Sequence, residues 1–254
     1  MNDTNYNRYN DGVNAATAER LLSLNRQFYD EHAIDFSQTR ERLQPGVQRL
    51  VDTLHGDESI LDLGCGNGEL ARTLSRAGHR GDYLGLDFSP QLLKEAQREA
   101  FTFSARFFQI DLAQLSLVTE HNSLMPNHYS LVTAFAVFHH IPTVDLRLKL
   151  IREVYDLLAP GGLFMHSNWQ FLTNQRLKAR IQPWQAVGLT AQDVDANDYL
   201  LDWKRGGKGL RYVHHFDEAE LAELAQAGKF DVLESFYSDG ENKKSGLYQI
   251  WKKP

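Results

Sequence analysis

Eleven residues, ILDLGCGNGEL at 60–70, constrain this chain more than any others. The apolar run 59–63 reads as a short buried strand. It gives way to a turn carrying Gly64, Gly66 and Gly68, residues that let the backbone reverse sharply and approach a ligand with no Cβ in the way. The stretch 68–77 then has the pattern of a helix, whose first N–H groups have no partner within the helix. A strand feeding such a turn and helix is the opening unit of a parallel sheet that takes its ligand at the strand tip.

The chain around it fits that frame. Residues 15–32 read as a helix with Leu21, Leu22, Leu24 and Phe28 as its apolar stripe, and Pro45 starts a second helix with Val47, Leu50, Val51 and Leu54 on one face. Strands follow at 82–88, 105–110, 130–138 and 163–168, the last after a Pro160-Gly161-Gly162 turn. Helices separate them, one beginning at Ser89-Pro90 and one spanning 143–158. This alternation predicts a parallel sheet covered on both faces. Residues 169–210 break the rhythm, with helix-like pieces expected near 173–182 and 190–198. Asp217 then caps a helix, with Glu220 placed for a capping box, and 229–238 and 245–253 look like two closing antiparallel strands.

Composition narrows the class of function. The polar start MNDTNYNRYNDG has no apolar leader, no run approaches a membrane span, and the single cysteine suits a reducing compartment, so a cytoplasmic protein without membrane contact is expected. A net charge of −6 gives no overall basic field.

The glycine turn alone also admits a dinucleotide enzyme. An acidic residue at the end of the second strand, Asp87, stands at about the 20-residue spacing of a carboxylate that bonds ribose hydroxyls. The details go further. Asp62 before the glycines, the order G-C-G-N-G, Asp111 after the third strand, the strand-four end AFAVFHHI and the LAPGG turn together resemble the S-adenosylmethionine (SAM) binding motifs of class I methyltransferases over residues 59–168. That resemblance implies a Rossmann-like α/β fold with a seven-stranded, mostly parallel sheet of order 3-2-1-4-5-7-6, preceded by an N-terminal helical segment and carrying an insert after strand five. The expected division is a helical cap at 1–57, the SAM core at 58–168, a substrate-recognition insert or lid at 169–212, and a closing helix and hairpin at 213–254. It also implies that SAM is the cofactor. Asp62, Gly64, Cys65, Gly66, Asn67 and Gly68 would lie about its methionyl part, and Asp87 with Phe88 about its ribose. Asp111 would take the adenine amino group between Ile110 and Leu112, with Phe135 at the end of strand four. Cys65 is a small spacer between glycines, with no base beside it to make it a nucleophile.

Two further segments resemble the tRNA wobble-uridine carboxymethyl methyltransferases. One holds Tyr29, Ala33, Phe36-Ser37-Gln38-Thr39-Arg40 and Pro45; the other is LRYVHHFDEAELAEL at 210–224. The family's Trp before Pro is Gln44 here, and its second Tyr is Val213. The resemblance implies a carboxylate acceptor on a tRNA and a small activating protein partner. A carboxylate, with a pKa of roughly 4, is ionised at neutral pH and needs no general base, only cations and donors to hold it. Arg40 and Arg211 are candidates for the grip, and Tyr29, His140, Tyr212 and His214 for orienting the acceptor. Adjacent histidines lack metal-ligand spacing, so no metal is expected.

The insert supports two readings. Arg176, Lys178, Arg180, Lys204, Arg205, Lys208 and Arg211 outnumber its four aspartates, with Trp169, Trp184, Tyr199 and Trp203 interleaved. Such a segment can grip single-stranded RNA, or it can be a lid over a small-molecule acceptor with its tryptophans as core. A non-catalytic SAM-binding partner subunit is the third reading, and the complete set of acidic and glycine residues argues against it.

Overall fold

The computed structural model describes residues 13–38, 42–115, 124–203 and 209–254, without the side chains of 34–38. Its main sheet has seven strands. Five come first: β1 (Ile60–Leu63), β2 (Tyr83–Asp87), β3 (Ala105–Gln109), β4 (Tyr129–Phe135) and β5 (Leu158–Trp169). Two close the chain, β9 (Asp231–Ser238) and β10 (Gly246–Lys252), and the order across the sheet is β3-β2-β1-β4-β5-β10-β9. Counted within this sheet alone, that is the expected 3-2-1-4-5-7-6. The first five strands pair in parallel, and β10 runs antiparallel to both β5 and β9. The turn between β9 and β10 is short, closed by Ser245 N–H donating to the Asp239 carbonyl, and so short a link forces a hairpin.

The central strands are apolar because both faces are covered. Along β1, alternate residues feed two cores: Leu61 and Leu63 join Leu84, Val132 and Val154, while Ile60 joins Val47, Leu70 and Leu131. The helices that cover these faces are α2 (Pro45–Val51), α3 (Glu69–Arg76), α4 (Pro90–Ala96), α5 (Val144–Leu157) and α7 (Glu218–Ala227). The stretch expected as a turn at 160–162 belongs to β5, because it pairs outward: Gly161 N–H donates to Lys253 O, and Lys253 N–H to Gly162 O.

The insert differs from its sequence reading. Only Gln175–Lys178 (α6) is helical near 173–182, and a single 3-10 turn, Trp184–Val187, precedes the region expected to be helical at 190–198. The rest is a three-stranded antiparallel sheet of β6 (Ile181–Gln182), β7 (Asp198–Trp203) and β8 (Gly209–His214). Tyr199-Leu200-Leu201 and Tyr212-Val213 are β-formers that pair across the strands, Tyr199 opposite Val213 and Leu200 opposite Tyr212.

The long first helix, α1 (Ala15–Gln38), runs six residues beyond its predicted end and lies against this small sheet. Asn25 mimics a strand edge there: its Oδ1 accepts from Tyr212 N–H at 2.8 Å and its Nδ2 donates to Tyr212 O at 3.1 Å. Below the sheet sits a buried ionic cluster. Arg147, with no exposed surface, donates to Tyr212 Oη at 2.9 Å and lies 3.4–3.7 Å from Asp198, Asp195 and Glu220. His214 meets Asp198 at 2.7 Å through Nδ1 and Glu220 at 2.9 Å through Nε2. This explains why Glu220 completes only half of a capping box. Asp217 accepts from Glu220 N–H at 2.8 Å, but the Glu220 carboxylate turns inward to the cluster.

Candidate active site

The tips of β1, β2 and β4 open into a crevice holding about 1280 Å³ of atom-free space, open solvent at its mouth included. Gly64 and Gly66 line it with φ of +70° and +55°, left-handed values that favour glycine. A Cβ on Gly64 would strike Val137 at 2.3 Å, whereas one on Gly66 would meet nothing within 4 Å. Gly66 therefore leaves room for something else.

Asp87 at the tip of β2 is almost wholly buried; its Oδ2 accepts from Gly66 N–H and its Oδ1 from Ser89 N–H, both at 2.9 Å. Burial pushes its carboxyl up to about 6, although the backbone donors pull the other way. Asp62 is buried too, accepting from Thr133 Oγ1 at 2.6 Å and Tyr83 Oη at 2.5 Å, and burial again lifts it to about 6. Cys65 packs beneath Gly85, where an added Cβ would lie 2.9 Å from its sulfur, and burial raises its thiol well above the ordinary range. It is a spacer, as expected.

Of the cofactor set read from the sequence, Asp62, Gly64, Cys65, Gly66, Asn67, Asp87, Phe88, Asp111, Leu112 and Phe135 all line this crevice. Gly68 and Ile110 do not. Gly68 is the N-cap of α3, packed on Ala96, and Ile110 leans on the core. Sequence reasoning missed one wall. Leu22, Asn25, Arg26 and Tyr29 form a single face of α1 and roof the crevice. Arg26 donates through Nε to Asp111 Oδ2 at 2.9 Å, while Asp111 Oδ1 accepts from Ala113 N–H at 3.0 Å. The spacing of those four residues was visible, but nothing in a lone amphipathic helix says which surface it covers.

A second chamber adjoins the first. Tyr29, Gln44, Val47, Phe135, Ala136 and His140 line both, so they mark the passage between them. Ala136 has φ of +57°, held there as its N–H meets Ser167 Oγ at 3.0 Å and Ser167 O at 3.1 Å. Deeper in the chamber lie Trp169, Trp203 and Arg211. The Arg211 guanidinium sits 4.6 Å from the Trp169 ring centre, 5.5 Å from Trp203 and 5.2 Å from Phe28.

Tyr29, His140 and Arg211 are thus brought together around the second chamber. Tyr212 and His214 are not: both are fully buried in the Arg147 cluster, where their polar atoms are consumed, and they line neither chamber. Arg40 lies outside the described residues, as do Lys204, Arg205 and Lys208. Among the described residues no cluster of three or more His, Cys, Asp or Glu could hold a metal ion, and no helix is long and apolar enough to cross a membrane.

A seven-stranded sheet of this order, with a glycine-turned crevice at the tip of β1 and buried carboxylates at the tips of β1 and β2, defines a class I SAM-dependent methyltransferase. The residues fit SAM: Gly66 leaves a Cβ-sized space, and Asp87 presents a carboxylate at the expected ribose position. The chain belongs to the family described as "Methyltransferase domain", whose model matches residues 36–235. It is 29% identical over 228 residues to an Encephalitozoon cuniculi protein named "Putative methyltransferase", covering 89% of this chain and 94% of that one. It is also 29% identical over 187 residues to the ubiquinone biosynthesis O-methyltransferase of Aliivibrio fischeri, covering 73% of each. Among solved structures, a Haloferax volcanii methyltransferase in complex with the Trm112 activator superposes with a TM-score of 0.64 at 17% identity, over 90% of this chain and 97% of that one. The Burkholderia thailandensis 1,6-didemethyltoxoflavin-N1-methyltransferase, holding its substrate and S-adenosylhomocysteine, superposes with a TM-score of 0.61 at 20% identity, over 94% and 89%.

Proposed function

We propose that this enzyme methylates a carboxylate, the carboxymethyl group of a modified wobble uridine in tRNA. The observation that carries this reading is Arg211, fixed between Trp169 and Trp203 in the chamber next to the cofactor crevice. A guanidinium held in one orientation suits an anionic group with two oxygens. The sulfonium of SAM supplies an electrophilic methyl when bound. The chain's task is then to align an acceptor that is already ionised and to exclude water. Arg211 holds the carboxylate, and Tyr29 and His140 stand where the two chambers meet. Arg40 is the second cation in this proposal, on the strength of the Phe36–Arg40 resemblance. On this reading residues 1–57 cap the SAM core of 58–168, 169–212 recognise the acceptor and 213–254 complete the sheet. The enzyme acts in the cytoplasm, with a small activating subunit of the kind the Haloferax neighbour carries.

A specific observation favours a second reading, a small-molecule acceptor beneath a lid. The insert's aromatics point inward: Trp169 and Trp203 flank Arg211, Tyr199 packs on Phe171 at 5.3 Å, and Trp184 joins Leu21 and Leu189. Arg180 is paired with Asp202 at 2.9 Å. Both curated O-methylation in the Aliivibrio relative and N-methylation in the Burkholderia neighbour are consistent with that use.

Methyl-tritiated SAM, offered with bulk tRNA and separately with a small-molecule fraction, with and without an activating subunit, separates the two. The proposal expects label in tRNA that mild alkali releases as methanol, the behaviour of a methyl ester. Label confined to small molecules, or alkali-stable label in tRNA, would overturn it.

A further inference from the structure

The passage between the chambers contains a hydrogen-bond chain whose direction can be assigned. His140 Nδ1 lies 3.1 Å from the Tyr212 carbonyl, and its Nε2 lies 2.7 Å from Tyr29 Oη. Asn25 accepts from Tyr212 N–H through Oδ1, which orients its amide and leaves its Nδ2 to donate to the same Tyr212 carbonyl. A carbonyl oxygen only accepts, so Nδ1 must carry the ring proton; the other tautomer would set two lone pairs against each other at 3.1 Å. The contact between Asn25 Nδ2 and His140 Nδ1 is longer, 3.4 Å, and does not reverse this choice. With Nδ1 protonated, neutral His140 offers a lone pair at Nε2, and Tyr29 must donate to it. Toward any other group the Tyr29 oxygen can then act only as an acceptor.

We propose that Tyr29 is a positioning residue for the methyl group of SAM, its phenolic oxygen accepting C–H···O contacts from that methyl as it faces the second chamber. The methyl of a sulfonium is electron-poor, so its C–H bonds are better donors than those of an ordinary alkyl group. Tyr29 lines both chambers and its ring meets Phe88, next to Asp87, edge to face at 5.9 Å. It stands beside the path the methyl must take from one chamber to the other. His140 acts through Tyr29, and the Tyr212 carbonyl on β8 acts through His140, so the folded insert sets the polarity of an atom in the cofactor crevice. This gives Tyr212 a role through its backbone although its side chain is remote from the site. The inference rests on the SAM crevice and is independent of the acceptor.

The test compares SAM with S-adenosylhomocysteine, which lacks the methyl, by calorimetry on the full chain. Tyr29→Phe should weaken SAM about two- to fivefold, the range of one or two weak C–H···O contacts, and leave S-adenosylhomocysteine unchanged. His140→Phe, which keeps the phenol but removes its acceptor, should also lower the preference for SAM. In a proton NMR spectrum of bound methyl-¹³C SAM, the methyl resonance should lie downfield of free SAM in the wild type and move back in Tyr29→Phe. Equal weakening of both ligands would assign Tyr29 a merely structural role and overturn the proposal; so would unchanged binding of both. A wild-type methyl resonance at the position of free SAM would overturn it without recourse to either variant.

Discussion

The two chambers are built in different ways. The cofactor crevice takes its polar groups from consecutive strand ends, Asp62, Asp87 and Asp111, each followed at once by a turn or short helix that presents it. The second chamber draws Tyr29 from α1, His140 from the turn after β4, Trp169 from the end of β5, Arg211 from β8 and Tyr248 from β10. One is a property of local chain geometry repeated along a parallel sheet. The other exists only when segments from both ends of the chain have assembled. Variation in the second can therefore change the acceptor while the first stays intact.

The comparison breaks most visibly at Arg147. Arg147→Ala leaves Asp195, Asp198 and Glu220 facing one another in a buried space and should destabilise the protein by about 3–5 kcal/mol, read by urea unfolding. A loss under about 1 kcal/mol would mean that the cluster does not pin the insert. Arg211→Ala should lower methyl transfer to a carboxylate acceptor roughly 10- to 100-fold and hold SAM affinity within about twofold, because the lost bonds are to the acceptor alone. Equal losses in transfer and SAM binding would merge the two chambers into one site.

Acid should act on the first chamber. With Asp87 pushed up to about 6, protonation removes the ionised acceptor of the ribose hydroxyls, so SAM affinity should fall as pH drops below that value, by up to about tenfold per unit. The stability term has the opposite sign. Asp62 and Asp87 hold protons more tightly folded than unfolded, so their contribution is fully present below about pH 4 and is lost as pH rises through about 6. Melting of the SAM-free protein at pH 5 and 7.5, each compared with Asp87→Asn, isolates that contribution. The smallest effect belongs to Arg26→Gln. Its bond to Asp111 is partly exposed, so SAM binding should weaken only a few-fold, about 1 kcal/mol or less.

What was legible follows the same division. The sheet order and ten of the crevice residues could be read because glycine turns and strand-end carboxylates are local patterns. Even there Gly68 and Ile110 face away, since a motif does not say which of its members packs inward. The insert was misread because residues 190–198 have a helix-like composition but are followed by strands whose pairing partner lies beyond the Lys204–Lys208 stretch. Tyr212 and His214 looked like acceptor contacts by resemblance, and the sequence gives no sign of the buried Arg147 that claims them. The roof of α1 was hidden for a related reason, since contact across the molecule leaves no mark on the spacing of Leu22, Asn25, Arg26 and Tyr29.

Calorimetric titration of SAM into the wild type and into Asp87→Ala tests the placement of the nucleoside most directly. Removing the carboxylate that meets Gly66 N–H and stands ready for the ribose should cost about 100-fold in affinity, the size of two hydrogen bonds to a charged group. An Asp87→Ala protein that binds SAM as tightly as the wild type would contradict the assignment.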